Sequence, residues 1–122
     1  MIGRSCLSIS YTPYIIGEPK ATLTVTATYT QDYVVFNCTS SRSPATNVTW
    51  LRNGSVIQED THHHTIIMEQ RLGERSSSTY ENILRVSTSV LTSGRYNCCV
   101  SNALGGNQTH VDIIVCKLLV HV

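Results

Sequence analysis

Cysteines, histidines and sequon asparagines are the residues of this chain whose types could do chemistry, and their spacing decides how much they can do. Five cysteines occur in 122 residues. Cys99 invites a reactive reading, because alternate residues of an extended segment face opposite ways, so it points away from the side shared by Tyr96, Cys98 and Val100. A nucleophilic thiol needs a neighbouring base and a depressed pKa. With a turn near residues 104–106, the residue roughly opposite Cys99 is His110, the single candidate base. No carboxylate or oxyanion donor accompanies them. Nor can a glycine-rich phosphate loop, a pair of catalytic carboxylates or a serine-histidine-acid order be placed on neighbouring loops, so the chain is not expected to be an enzyme. Cys99 then reads as a passive thiol that a parent protein covers, or as half of an intermolecular disulfide. Cys116 lies several residues beyond the position facing Cys99, too far for a bridge whose Cα atoms must come within about 7 Å. Cys6 reaches Cys116 only if the N-terminal segment runs beside the last strand, and the sequence leaves that connectivity open.

His62, His63 and His64 cannot all face one ion from an extended chain, and a metal site wants ligands spaced on one face with supporting partners. They read as a solvated loop, and neither metal nor cofactor is expected. Asn-x-Ser/Thr sequons occur at Asn37, Asn47, Asn53 and Asn107. Alternation places Asn37 and Asn47 opposite to Cys38, Val48 and Trp50, hence outward, while Asn53 and Asn107 fall in expected turns. Such surface positions are what a glycan acceptor requires.

The elements that must position these residues are strands. The chain is rich in Ser and in the β-branched residues Thr, Val and Ile and poor in helical periodicity, which makes all-β the natural class. Its length fits one domain. A formal net charge of +1 with 14% charged residues, and no block of lysine and arginine, gives no footprint for nucleic acid. The cysteines suggest an oxidising compartment. The first residues lack the apolar core of a signal peptide, and no stretch approaches the eighteen or so apolar residues of a membrane span. If the parent protein is extracellular, this chain is therefore expected to be a piece cut from it.

Residues 1–20 contain Pro13, Gly17 and Pro19 and read as an irregular leader or interdomain linker. The domain itself is expected over 21–118, with 119–122 extending its last strand. Leu23, Val25, Ala27 and Tyr29 alternate with threonines in the first strand, and a second follows at 33–39. Residues 47–52 form the next strand, and Asn53 with Gly54 supplies the positive φ angles of a tight hairpin. Val56 and Ile57 lie on a short strand. Residues 65–68 form another, either the edge of the second sheet or an additional strand of the first. Residues 80–87 carry Leu84 and Val86 inward. A strand at 95–102 turns at Gly105 and Gly106 into a last strand from about Thr109, whose apolar tail runs on into a further domain or lies as an exposed edge.

Three motifs in this order resemble the immunoglobulin superfamily. Val48-Thr49-Trp50-Leu51-Arg52-Asn53-Gly54 is similar to the V-x-W-x-[KR]-[DN]-G of intermediate (I-set) domains, and Tyr96 to Gly105 is similar to their Y-x-C-x-[AV]-x-N-x-x-G. Ile113 and Val115 match the paired inward residues of their last strand. The resemblance covers roughly residues 22–116. It implies a two-sheet Greek-key sandwich pinned by a Cys38–Cys98 inter-sheet disulfide with Trp50 packed against it and Tyr96 at the corner of the neighbouring strand. Thr92 departs from the pattern, since the family usually carries an Asp there that pairs with an arginine on a neighbouring strand. The spacing of Cys38 and Cys98 is long for the I-set and short for the variable type (V-set), so the subtype stays between the two.

In such domains the partner face is often the outer side of the sheet built from strands C, F and G, here 47–52, 95–102 and 109 onward. The resemblance implies that face for Thr49, Leu51, Asn97, Cys99, Ser101, His110, Asp112 and Ile114, with Leu51 and Ile114 as exposed apolar contacts. The expected function is recognition of a protein partner, homophilic pairing included, by an extracellular module of a membrane-anchored adhesion molecule or receptor, receptor tyrosine kinases among them. A structural spacer and a variable-type immune domain are the alternatives.

Overall fold

The structure is a computed structural model, and it describes residues 4–12, 22–30, 32–41, 47–72, 79–102 and 105–118. Nine strands occur among them, β1 (Arg4–Thr12), β2 (Thr22–Tyr29), β3 (Tyr33–Ser41), β4 (Asn47–Arg52), β5 (Ser55–Val56), β6 (Ile66–Leu72), β7 (Thr79–Ser87), β8 (Gly94–Asn102) and β9 (Gly105–Leu118). They form two antiparallel sheets, one ordered β1-β9-β8-β4-β5 and the other β2-β3-β7-β6. The chain changes sheet between β1 and β2, between β3 and β4, between β5 and β6, and between β7 and β8, which is the Greek-key sandwich that the resemblance implies.

Local sequence explains several of these strands. Asn53 and Gly54 have φ angles of 50° and 84°, and Arg52 pairs with Ser55 across them, so the hairpin is a two-residue turn with both residues left-handed. The alternation of Val34, Phe36 and Cys38, all fully buried, with half-exposed partners sets the inner side of β3. Phe36 stacks on Tyr96 with centroids 4.8 Å apart and tilts against Trp50 at 6.0 Å. Cys38 and Cys98 are bridged at a Cα separation of 6.4 Å, and Trp50 pairs directly with Cys98. Each of these large apolar side chains contributes roughly 1.5–3 kcal/mol by leaving water. Asn82 is a buried polar group inside the second sheet. Its Nδ2 donates to the Cys38 carbonyl at 3.1 Å and its Oδ1 accepts from Gln70 at 2.7 Å, so the amide is satisfied beside the disulfide.

Two expectations are corrected. Residues 4–12 are not an irregular leader but strand β1, antiparallel to β9 with Cys6 directly opposite Cys116. Leu7, Ile9 and Tyr11 alternate with serines and a threonine there, and Pro13, Gly17 and Pro19 all follow Thr12. As a result β9 is an interior strand as far as Leu118, not an exposed edge. Ile66 to Leu72 pairs with β7 and so belongs to the second sheet, and between β5 and β6 the described residues hold no further strand. The loop expected at Gly73 and the tail at 119–122 lie outside the described residues.

Candidate interaction face

Strand alternation sorts the first sheet into an inner and an outer side. Asn107, Thr109, Val111 and Ile113 of β9 are buried between the sheets, so Gln108, His110, Asp112, Ile114 and Cys116 stand on the outer side. The same rule places Arg95, Asn97, Cys99 and Ser101 of β8, and Thr49 and Leu51 of β4, on that side. The pairing brings the expected face together, with Thr49 opposite Cys99 and Leu51 opposite Asn97. Ile114 is 54% exposed at one margin. At the other, Val56 of β5 is 60% exposed and pairs with Leu51, which is itself half-buried rather than open. The apolar contact expected from Leu51 is thus carried by its neighbour, because β5 lies along it.

The centre of the face is a polar cluster around Gln108. Its Oε1 accepts from Asn97 Nδ2 at 3.5 Å and lies 3.6 Å from the Cys99 thiol, which donates to it. Burial pushes the Cys99 thiol above its ordinary value, so little thiolate forms at neutral pH. Cys99 is the free thiol among the described cysteines, whereas Cys116 is disulfide-bonded. Next to the cluster Arg95 donates to Asp112 through Nε at 2.8 Å and Nη2 at 3.2 Å, a forked pair on directly opposed residues. The hydrogen bond from Arg95, then its charge, holds Asp112 below the usual carboxylate range. Asp112 is therefore committed within the face rather than offered to a partner.

His110 is corrected on two counts. It pairs with Asn97, not Cys99, because Asn102 already pairs with Gly105 and the turn lies earlier than residues 104–106. It is also only 9% exposed although it stands on the outer side, since β1 runs along β9 with Thr12 opposite it. The thiol and the imidazole are thus not a facing nucleophile and base.

The sequons separate. Asn47 is exposed at the start of β4. Asn37 is half-buried, with Nδ2 donating to Glu81 at 3.4 Å. Asn53 is exposed, but its Oδ1 accepts from the Arg95 amide at 2.9 Å and its side chain fills the space where a Cβ on Gly94 would stand, within 2.8 Å. Asn107 is 3% exposed and lies inside β9, so the surface turn expected for it is corrected. The three histidines lie exposed in a turn where Asp60 Oδ1 accepts from the His62 and His63 amides, each at 3.1 Å.

Gln108, Val56 and Arg95 are face residues that sequence reasoning missed. The signal was present for Arg95, which shares the parity of Asn97 and Cys99. For Gln108 it required the true turn, and for Val56 the length of β5.

The chain matches a family described as the immunoglobulin domain over residues 18–115. Among curated proteins it is similar to hemicentin-1 of Homo sapiens, 30% identical over 99 residues, and to hemicentin-1 of Mus musculus, 29% identical over 99 residues. Each match covers 81% of this chain and 2% of the relative, so the chain spans a small fraction of the proteins it resembles.

Proposed function

Because the chain belongs to the immunoglobulin domain family, we propose that it is an extracellular recognition module of a cell-surface receptor or adhesion protein, which pairs with a second copy of itself through the outer face of β4, β5, β8 and β9. The observation that carries this reading is the make-up of that face. Exposed Val56 and Ile114 flank a centre of amide and thiol groups, and the one forked ion pair beside it cancels its own charge. Two copies of a face whose described residues leave no charge unbalanced do not repel, and a two-fold pairing sets each apolar margin against its counterpart. The buried Cys38–Cys98 bridge and the bonded Cys116 support an oxidising compartment. A glycan on exposed Asn47 would border the face without covering its centre. The module performs no chemistry and needs no cofactor; membrane attachment belongs to the rest of the parent protein.

The variable-type immune domain is less well supported. The described residues carry no extra strand between β5 and β6, and with Asn102 paired to Gly105 only positions 103–104 are left to a recognition loop. A spacer remains the alternative that experiment must separate. Light scattering over a concentration series, with and without reductant, does so. A dimer that persists in reductant, dissociates on dilution and is lost in the V56D/I114D double variant is the expected result. A monomer at all concentrations sinks the homophilic reading, and a dimer that reductant abolishes transfers the contact to Cys99.

A further inference from the structure

Arg52 ends β4 on the same side as Trp50, so its side chain turns toward the second sheet at the open end of the sandwich, with Tyr96 directly opposite it. It is half-buried, and among the described residues it has no carboxylate partner. Five of the six described acids are committed elsewhere, Asp112 to Arg95, Glu81 to Arg71, Glu69 to Arg85, Asp60 to Thr65 and Glu59 to the Met68 amide, and the sixth, Asp32, is exposed just before β3 and forms no ion pair with Arg52. Thr92, which lines the same cleft as Arg52, has no charge, and its carbonyl is already taken by the Tyr96 hydroxyl at 2.7 Å.

Arg52 and Thr92 both line a cleft of about 240 Å³ between the β4–β5 and β6–β7 edges of the two sheets. Most of its remaining wall is apolar, made by Val56, Ile57, Ile66, Val86, Val90 and the Tyr96 ring, with Ser55 and Gln58 as its polar members. Val90 is 43% exposed at the rim, one of the few large apolar side chains that the fold leaves open. A cavity of about 150 Å³ holds a benzene ring, so this one admits a phenyl or branched alkyl group together with a charged head. A guanidinium beside apolar walls favours a planar, bidentate anion over a spherical or strongly hydrated one.

We propose that this cleft binds a small carboxylate with a phenyl or branched aliphatic body, the carboxylate held by Arg52 and the body by Ile66, Val86 and Val90. The bound acid supplies from outside the negative charge that Thr92 omits. The site lies away from the outer side of β8 and β9 and shares only Val56 with the proposed pairing face, and it does not depend on that face being a partner surface.

The test is an amide-resolved NMR titration of the chain with 3-phenylpropionate, its uncharged amide, inorganic phosphate, and acetyl-glycyl-phenylalanine with a free or an amidated C-terminus. Saturable shifts at Arg52, Ile66, Val86 and Val90 are expected with the acid. The amide should bind at least about tenfold more weakly, the worth of a charge-assisted hydrogen bond. R52Q should erase the difference between acid and amide, and T92D, which sets a carboxylate in the same cleft as the arginine, should abolish acid binding while keeping a folded spectrum. The free-terminus peptide binding more tightly than 3-phenylpropionate marks a partner's chain terminus as the source, and the reverse order marks a free acid; both support the site. Equal binding of acid and amide to the wild-type chain, equal shifts from inorganic phosphate, or acid binding that survives in folded T92D would overturn the proposal.

Discussion

Tyr96→Phe removes one hydroxyl and nothing else, which makes it a clean probe of how the corner before β8 is held. The ring is 2% exposed and stacks on Phe36 at 4.8 Å, and phenylalanine keeps both properties. What is lost is the bond from the Tyr96 hydroxyl to the Thr92 carbonyl at 2.7 Å. A neutral hydrogen bond contributes about 0.5–1.5 kcal/mol net, and an acceptor left buried and unpaired would add to that. Thr92 is exposed, so water can reach its carbonyl, and the loss should be about 1 kcal/mol. For a chain of this size that lowers the melting temperature by roughly 3–5 °C. In urea the midpoint should fall by about 0.5 M with the slope unchanged. Burial pushes the Tyr96 hydroxyl above the ordinary tyrosine value, so it stays protonated in the folded state. The difference between the two proteins should hold constant from pH 7 to about 9 and shrink only above about 10, where the unfolded wild type gains stability by ionising. An unchanged midpoint would mean the bond is worth no more than one to water. A loss above about 3 kcal/mol would mean that the ring had repacked, and either result refutes the reasoning.

Replacing Cys38 and Cys98 together by alanine opens a loop with a sequence separation of 60, and by chain entropy should cost about 4 kcal/mol in denaturant unfolding; a loss under about 1 kcal/mol would show that the sheets hold without the bridge. Hydrogen bonds from Thr65, Arg85, Arg71 and Arg95 lower the pKa of Asp60, Glu69, Glu81 and Asp112 respectively. Their contribution is fully present above the unfolded carboxylate values near about 4 and is lost as pH falls through the lower folded values, so the urea midpoint should be flat from pH 7 to about 5 and drop below about 4. In a secreting eukaryotic host, Asn47→Gln should remove a glycan mass that Asn107→Gln leaves untouched, as read by intact mass spectrometry, because only the first asparagine is exposed; equal mass losses would refute the burial of Asn107.

Much of the frame was legible because it is local. The strand at 47–52, the Asn53-Gly54 turn and the inward set of Phe36, Cys38, Trp50, Tyr96 and Cys98 follow from side-chain alternation and turn chemistry, and they stand as read. Alternation also survives an error of register. The β8–β9 pairing was expected two residues away from where it lies, and a slip of two leaves every side chain on its expected side. That is why Asn97, Cys99 and Ile114 keep their place on the outer face while the partner of Cys99 changes from His110 to Gln108.

What failed was set by neighbours that the sequence did not place. Nothing within residues 4–12 says that they pair with β9, and that pairing alone turns an expected edge into an interior strand and hides His110. Leu51 is half-covered because β5 returns along it, and Asp112 is neutralised because Arg95 lands opposite it. The sequence by itself determined the sidedness of each strand, since that depends on a two-residue period and on a few side chains too large or too apolar to stand in water, and its resemblance to the immunoglobulin motifs implied the sandwich and its pin. Only the tertiary structure decided which outward groups remain free and which charge is left unanswered, Arg52 among them, because exposure and pairing belong to neighbours that are distant in the chain.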